Sequence, residues 1–338
     1  MRAGSFGIIA ISILAGAPAY GQQRFDFVAV DVPCAASAPT FCPGGLAPQT
    51  AVNGINAGGD IVGMYIDGAT RQHGFVMKNG LHRTLDVPGS FAGVSGTLPT
   101  VANGINPAGD IVGTYRVPFN DTAPFDSPLY CPTGRPAACV KGFIYRHGQF
   151  ERLLFPGHPG AVPQRITPNG DVYGCLHDLD TGMSMYGAVW YRDGSVASLM
   201  AAGGELSDPT VDVSMSMNNG ATPGGRVIVG LFNDAVRRHG FIVQEGVFYP
   251  YDVPSPTITL TAIWDMNPRG QFVGTYADGT GRHGFLQNPG GSAPVQIDVT
   301  GQTNTVVMGI NPIGVIVGTY TIGSATHGFI GVPIQDEQ

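Results

Sequence analysis

Histidine and aspartate recur along this chain and are the residues best suited to chemistry. A His-Gly-Phe tripeptide occurs four times, beginning at His73, His239, His283 and His327. Three of these histidines are followed 13 or 15 residues later by an aspartate, and one more aspartate with a similar context lies near the N-terminus: Asp86, Asp252, Asp298 and Asp31. An imidazole beside a carboxylate can serve in general acid–base catalysis, and a cluster of such groups can bind a metal ion.

Two pairs of cysteines form a second set of reactive residues. Cys34 and Cys42 are separated by seven residues, as are Cys131 and Cys139, and both pairs lie in segments rich in Pro and Ala. We predict two local disulfides, because this spacing is wider than the short cysteine pair of a zinc site; metal binding is the alternative. Cys175 lies in an apolar strand and is predicted to be a buried free thiol.

The segment around the second cysteine pair is also where we expect a ligand. From Tyr115 to Gly142 the step is 27 residues, against 9 from Tyr65 to Gly74, so this segment carries an insertion of 18. Long loops on a rigid scaffold are the usual place for binding. Candidate contacts in the insertion and in neighbouring connections are Phe119, Asp121, Phe125, Asp126, Tyr130, Arg135, His158, Arg165, His177, Asp178, Asp180 and Trp264. Together they suit a carbohydrate or a cation; the alternative is that they only cover the strand ends.

Sequence signatures of enzymes are weak. The chain has no G-x-S-x-G nucleophile elbow, no H-E-x-x-H and no phosphate-binding loop. A pair of carboxylates for glycoside hydrolysis meets only in three dimensions, so the sequence leaves this chemistry open. We therefore favour a non-catalytic binding or interaction scaffold without a cofactor or metal, with a hydrolase or lyase acting on extracellular polysaccharide as the alternative.

An internal repeat must position all of these residues. Its clearest copies are GINAGGDIVGMY, GINPAGDIVGTY and GINPIGVIVGTY, which begin at Gly54, Gly104 and Gly309. DMNPRGQFVGTY is a fourth copy, and two weaker copies begin at Arg165 and Asn218. Each copy continues through a polar turn, the His-Gly-Phe pattern and another turn, which gives four short strands per unit. Such units of about 40 to 50 residues are typical of propeller blades.

The sequence therefore predicts an all-β, six-bladed β-propeller with four-stranded blades. The repeat units cover about 50–89, 101–157, 161–199, 211–255, 260–299 and 305–333. The sixth unit lacks a fourth strand, and the N-terminal segment 24–33 has the pattern of one. We predict that this segment completes the last blade and closes the ring, which removes an open sheet edge.

Ring closure also pairs Asp31 with His327, so that every unit with the histidine has the aspartate. Units two and three lack both, because Lys141 and Tyr186 replace the histidine and leucines replace the aspartate. We interpret each pair as a hydrogen bond between the third and fourth strands of one blade. Radial blades keep the four histidines apart, so we predict neither a metal site nor a catalytic role for them.

The pattern GINPxGDIVGTY, followed by HGFV and LDVPG, resembles the extracellular HAF-repeat family. That family is named for a His-Ala-Phe tripeptide, which reads His-Gly-Phe here. The resemblance covers residues 24–333, and units two and three depart most, with Lys141-Gly142-Phe143 and Tyr186-Gly187-Ala188 at the tripeptide. It implies secretion and a repeat architecture, and it brings no catalytic residues.

Residues 1–19 have the features of a secretory signal peptide. Arg2 is followed by an apolar stretch from Gly7 to Gly16 and by Ala17-Pro18-Ala19, an A-x-A cleavage motif. The apolar stretch is too short to span a membrane. We expect a secreted or periplasmic protein with one domain over 24–338.

Composition narrows the classes of partner. Only 12% of the 338 residues are charged and the net charge is −7, so there is no basic surplus for nucleic acid. The 51 Gly and 27 Pro disfavour long helices. We expect a monomer that binds an extracellular carbohydrate or protein, without membrane insertion.

Overall fold

The structure, a computed structural model, describes residues 23–32, 49–125, 127–134, 136–177, 185–198, 216–234, 236–255, 257–302 and 304–334. Within these ranges the protein is all-β, as predicted. They contain 24 strands, two single 3₁₀ turns at Gly89–Ala92 and Pro136–Cys139, and no α-helix. They also contain no helix with the length and hydrophobicity needed to cross a membrane.

The strands form six groups of four, and within a group consecutive strands are antiparallel neighbours. The first three groups are β2 (Gln49–Ile55), β3 (Ile61–Ile66), β4 (Gln72–Lys78) and β5 (Leu81–Thr84); β6 (Thr100–Ile105), β7 (Ile111–Arg116), β8 (Val140–Arg146) and β9 (Gln149–Leu153); and β10 (Gly160–Ile166), β11 (Val172–His177), β12 (Met185–Trp190) and β13 (Val196–Ser198).

The next two groups are β14 (Ser216–Ala221), β15 (Val227–Asn233), β16 (Arg238–Gln244) and β17 (Val247–Tyr251); and β18 (Leu260–Met266), β19 (Phe272–Asp278), β20 (Gly281–Gln287) and β21 (Val295–Ile297). The sixth group consists of β22 (Thr305–Ile310), β23 (Ile316–Ile322), β24 (Ala325–Pro333) and the N-terminal strand β1 (Phe25–Val30).

The N-terminal strand lies on the outer edge of the last group. β1 pairs antiparallel with β24 from Phe25 opposite Pro333 to Val30 opposite Gly328. The same group contacts the first group, because Gln49 of β2 forms a parallel bridge with Thr326 of β24. Both ends of the described chain therefore belong to one sheet.

Each group packs face to face on its neighbours in the chain. One apolar cluster lies between each consecutive pair of groups, and a sixth cluster joins the last group to the first. In this sixth cluster, Val30 and Val317 pack with Val52 and Phe75. A sheet in this position buries both of its faces, which explains why most strands read as apolar runs without strict alternation.

A glycine in the second strand of each group lets the first, second and third strands of that same group pack closely. A Cβ on Gly63 would lie 1.9 Å from the carbonyl oxygen of Ala51 and 2.8 Å from the ring of Phe75. The corresponding glycines place a Cβ 1.9 to 2.2 Å from a first-strand carbonyl oxygen: Gly113, Gly174, Gly230, Gly274 and Gly318. The glycine of the repeated I-V-G-T-Y pattern is therefore required, because no side chain fits at this position.

Asparagines in the turn between the first and second strands link neighbouring groups. Oδ1 of Asn56 accepts the backbone N–H groups of Gly58 and Asp60, both at 2.9 Å, and its Nδ2 donates to the carbonyl of Asn106 at 3.2 Å. Asn311 of the last group donates in the same way to the carbonyl of Asn56, at 3.5 Å. In the four groups that have this asparagine, the side chain that shapes the turn thus also connects it to the next group.

Candidate functional site

The insertion between β7 and β8 is fixed at both ends. Its predicted disulfide, Cys131–Cys139, is confirmed, and both cysteines are buried. The N–H of Val117 donates to the carbonyl of Cys139 at 3.0 Å, and the N–H of Asn120 donates to the carbonyl of Cys131 at 2.7 Å. The described part of the insertion is therefore held against the second group by these contacts.

The other cysteine predictions have different outcomes. Cys34 and Cys42 lie outside the described residues. Cys175 is a buried free thiol in β11, as predicted, and burial raises the pKa of this thiol far above its usual range. A thiol in this state is a poor nucleophile, which fits a packing role.

Aromatic rings form much of the exposed part of the insertion. Phe119 is 63% exposed and Phe125 is 37% exposed, and the Phe125 ring lies 5.5 Å from that of half-buried Tyr130. Asp121 is also exposed. Its carboxylate accepts hydrogen bonds from the N–H and the hydroxyl of Thr133, at 2.6 and 2.9 Å, and these bonds lower its pKa. The insertion thus combines two exposed rings with a fixed negative charge.

Other predicted contacts lie in the third group. His158 lies in the turn before β10, where its ring packs edge-on against Phe155 at 5.3 Å. His177 is the last residue of β11, and burial lowers the pKa of its imidazole. Four further predicted contacts lie outside the described residues: Asp126, Arg135, Asp178 and Asp180.

The structure corrects the placement of Arg165 and Trp264. The sequence assigns them to connections beside the insertion, but they lie in the first strands β10 and β18. Both strands continue to the following turn through a β-bulge, and Trp264 is the extra residue of the bulge in β18. The third copy departs from the repeated sequence, and the extra residue Trp264 interrupts the strand pattern. The sequence therefore did not show that Arg165 and Trp264 lie in strands.

Arg165 and Asp265 form a buried ion pair where first strands converge. Nε of Arg165 lies 3.3 Å from Oδ2 of Asp265, beside a cavity of about 90 Å³. Arg165 also donates to the carbonyl of Asn103 at 2.9 Å, and Asp265 accepts the N–H of Ile310 at 3.2 Å. Burial raises the pKa of Asp265, and the guanidinium of Arg165 partly offsets this.

Arg165 and Asp265 occupy a first-strand position that is glycine in the other four groups. The corresponding residues of the other four groups are Gly54, Gly104, Gly220 and Gly309. Two groups that are not adjacent in the chain therefore hold each other through one charge pair, whereas the others pack backbone to backbone.

Removing one member of this pair should destabilise the protein strongly. We expect Asp265→Ala to lower the free energy of unfolding by about 3 to 5 kcal/mol, because the buried Arg165 guanidinium loses its counter-charge. The double variant Arg165→Met/Asp265→Ala should lose less than the sum of the two single losses. Urea unfolding of all four proteins measures this coupling, and additive losses would contradict the proposed pairing.

The structure places each histidine of the His-Gly-Phe pattern beside the aspartate assigned to it. The shortest Nδ1–carboxylate distances are 2.6 Å for His73–Asp86, 2.9 Å for His239–Asp252, and 3.0 Å for both His283–Asp298 and His327–Asp31. Each imidazole also packs on a second-strand ring at 4.9 to 5.2 Å: Tyr65, Phe232, Tyr276 and Tyr320. The four clusters lie in four separate groups, and the described residues contain no set of three or more His, Cys, Asp or Glu arranged to hold a metal ion.

Three of these clusters contain a second aspartate that was not predicted. Oδ2 of Asp67 lies 3.2 Å from Nε2 of His73, and Asp234 lies 3.1 Å from Nε2 of His239. Asp278 lies farther from its histidine, at 3.6 Å. The signal for this residue is an aspartate five or six positions before the histidine, at the end of the second strand or in the turn that follows it. The sixth group has Thr and Ile at these positions.

Asp67 should make stability depend on acid pH. Burial alone raises its pKa, but hydrogen bonds from Arg71, His73 and the N–H of Ala69 outweigh burial and hold the pKa well below its usual range. We expect Asp67→Asn to lower the free energy of unfolding by about 1 to 2 kcal/mol at neutral pH. Because the carboxylate stabilises the fold only while ionised, this difference should shrink as pH falls below about 4.

The measurement is urea unfolding of both proteins between pH 7 and pH 3. Asp26→Asn, which changes an exposed aspartate of β1, is the matched control and should show no such loss. A difference between wild type and Asp67→Asn that stays constant with pH would contradict the role assigned to this carboxylate.

The second and third groups lack this cluster. Lys141 takes the position of the histidine in β8, where it is buried and its Nζ donates to the carbonyl of Pro159 at 2.5 Å. Burial lowers the pKa of Lys141 to about 8. Tyr186 takes the same position in β12 and packs against His158, with ring centroids 6.4 Å apart. The group that carries the insertion is thus also one that departs from the repeated cluster.

Comparison with known proteins gives distant structural likenesses. No family model and no curated protein matches this chain. TolB from Acinetobacter baumannii aligns with a TM-score of 0.49 and 11% identity, over 81% of this chain and 63% of TolB. Trypanosoma rangeli sialidase aligns at 0.48 and 8%, over 91% and 59%, and Aleuria aurantia lectin at 0.40 and 9%, over 85% and 96%.

This chain therefore spans less than two thirds of the TolB and sialidase chains. The neighbours are propeller-like proteins that include both enzymes and binding proteins. At these values the likeness does not transfer a ligand or an activity to this chain.

Proposed function

We propose that this chain is an exported, non-catalytic binding protein of the HAF-repeat type, built as a closed six-bladed β-propeller. In this proposal the six strand groups are the blades. The pairing of β1 with β24 and the apolar cluster between the last and first groups support closure of the ring. The hydrogen bond from Asn311 to the carbonyl of Asn56 supports it independently.

The ordered insertion of the second group carries the proposal of a binding role. It holds Phe119 and Phe125 in an exposed position although a disulfide and backbone hydrogen bonds fix the segment around them. Exposed rings on a rigid loop give contact area to a partner at a low cost in conformational entropy. We propose that this surface, with Asp121 and Tyr130, contacts an extracellular carbohydrate or protein.

Export to the cell surface, medium or periplasm is part of the proposal. The signal-like residues 1–19 lie outside the described residues. The disulfide Cys131–Cys139 supports an oxidising compartment, because such bonds form and persist mainly there.

A polysaccharide hydrolase or lyase is the second candidate function. Glycoside hydrolysis generally needs two carboxylates flanking one bond. Four pockets among the described residues are each lined by one acidic residue: Asp298, Asp265, Asp110 and Asp86. This arrangement favours binding as the leading proposal.

Replacement of the insertion should abolish binding, and circular dichroism checks that this variant folds, because Val117, Cys131 and Cys139 belong to the apolar cluster between the first and second groups. We propose to substitute the segment between Arg116 and Val140 with the short turn Asp67–Arg71 of the first group. A second variant, Phe119→Ser/Phe125→Ser, keeps the segment and removes only the exposed rings. Binding to a glycan array and to proteins of the extracellular fraction should fall at least tenfold in both variants.

Ile313→Ser is the matched control. Ile313 is 61% exposed and lies in the turn between the first and second strands of the sixth group, at the opposite end of the strands from the insertion. Its binding should equal that of the wild type. Wild-type binding by both insertion variants would refute this site, and release of reducing sugar from a bound polysaccharide would favour the hydrolase.

A further inference from the structure

A groove lies between the first and second groups, away from the insertion. Its volume is about 310 Å³, at the lower end of the range for small-molecule pockets. One wall is the segment from Arg83 to Asp86, at the end of β5 and just after it. The facing wall consists of Tyr145 from β8 with Gln149 and Phe150 from β9.

An extended connection supplies a third wall. From Asp86 to the first buried threonine of the next group, Thr100, the step is 14 residues, against 9 and 7 at the matching steps after the fourth and fifth groups. This extra length carries Phe91 into the groove. Arg152 of β9 donates to the carbonyl of Phe91 and places its guanidinium 5.0 Å from the Phe91 ring centroid. The added residues are thus fixed in place.

Three aromatic rings give the groove a partly exposed apolar surface. The Tyr145 and Phe150 centroids are 4.8 Å apart, and those of Phe91 and Phe150 are 6.3 Å apart. All three rings are half-buried and pack on the apolar cluster between the two groups. The cluster supports the rings from inside, while the groove leaves part of each ring accessible.

Polar groups of both kinds surround these rings. Nη2 of Arg83 donates to the hydroxyl of Tyr145 at 3.0 Å, which holds the guanidinium across the groove. Asp86 is fixed by His73 at 2.6 Å and by the N–H of Gly74 at 3.2 Å, and each of its oxygens has a second lone pair. Gln149 adds an exposed amide. The residues that line the groove therefore offer donors, acceptors and one charge of each sign, Arg83 and Asp86.

We propose that this groove is a binding site for a neutral sugar. A pyranose ring has an apolar C–H face, which suits the aromatic surface, and a rim of hydroxyl groups, which suits Arg83, Asp86 and Gln149. An anionic ligand would be placed beside Asp86, and a cationic ligand beside Arg83. Because Arg83 and Asp86 carry opposite charges, the groove favours an uncharged ligand rich in hydroxyl groups.

The test uses the whole protein with its insertion intact. An array of neutral, sialylated and sulfated oligosaccharides gives the preferred probe, and isothermal titration with that oligosaccharide gives its affinity. We expect a neutral oligosaccharide, with affinity reduced at least tenfold in Arg83→Ala, Gln149→Ala and Tyr145→Ala. Arg83 and Gln149 are exposed, so these two variants keep the fold if Tyr145→Ala does not. Arg192→Ala and Tyr191→Ala, which change exposed residues in the turn after β12, are the matched controls and should bind normally.

Three results would overturn the groove proposal: no bound saccharide, preference for charged saccharides, or unchanged affinity in the groove variants. Loss of saccharide binding in Phe119→Ser/Phe125→Ser but not in the groove variants would support the insertion and reject the groove, because these two rings are not part of the apolar cluster under the groove. Loss of saccharide binding only in the groove variants would support the groove and reject the insertion as the saccharide site. Failure of one site is therefore distinguishable from failure of the other.

Discussion

Burial of two apolar faces per sheet is the constraint on which the rest of this structure depends. A four-stranded group cannot cover both of its own faces, so each group needs a neighbour on either side. Inside each sheet the second-strand glycine leaves no room for a side chain, because a Cβ on Gly63 would meet the carbonyl of Ala51 in the adjacent strand at 1.9 Å. Between sheets, the first-turn asparagine adds a hydrogen bond to the neighbouring group, as between Asn56 and Asn106. The repeated residues thus serve packing within a sheet and contact between sheets.

Features that recur in several groups and features that occur once have different roles in this molecule. The His–Asp clusters recur, are mostly half-buried, and tie a third strand to the segment just after the fourth. The insertion with Phe119 and the connection with Phe91 each occur once, and both contribute aromatic rings that remain partly accessible. These two segments add length to one turn or connection, and each also packs on the apolar cluster between the first and second groups. Recognition is therefore best sought in the parts of the chain that break the repeat.

The repeat made much of the architecture predictable from the sequence. Glycine, turn and apolar patterns mark strand positions in each copy, and the absence of a fourth strand in the last copy directs attention to segment 24–33. The pairing of Asp31 with His327 could be inferred because histidine and aspartate occur together across the copies. Each of these predictions rests on a comparison of several copies of one unit. An irregularity in a single copy therefore does not change the prediction.

Residues that act across groups were harder to predict. Arg165 and Asp265 lie 100 positions apart, and no copy repeats their contact, so the sequence gives no signal for the ion pair. The contact between Asp67 and His73 could not be predicted, because aspartate is common in turns whether or not it contacts a histidine. Tyr145 and Phe150 resemble core residues in the sequence, and only the connection carrying Phe91 turns their surroundings into a groove.

Amide hydrogen exchange of β24 tests most directly whether the N-terminal strand completes the last group. Two proteins are compared, one starting at Gln23 and one starting at Cys34, which lacks β1. Without β1, exchange in β24 should accelerate at least tenfold, while β6 to β9 of the second group should keep their protection. Unchanged protection of β24 in the shorter protein would contradict the pairing of β1 with β24 and, with it, closure of the ring.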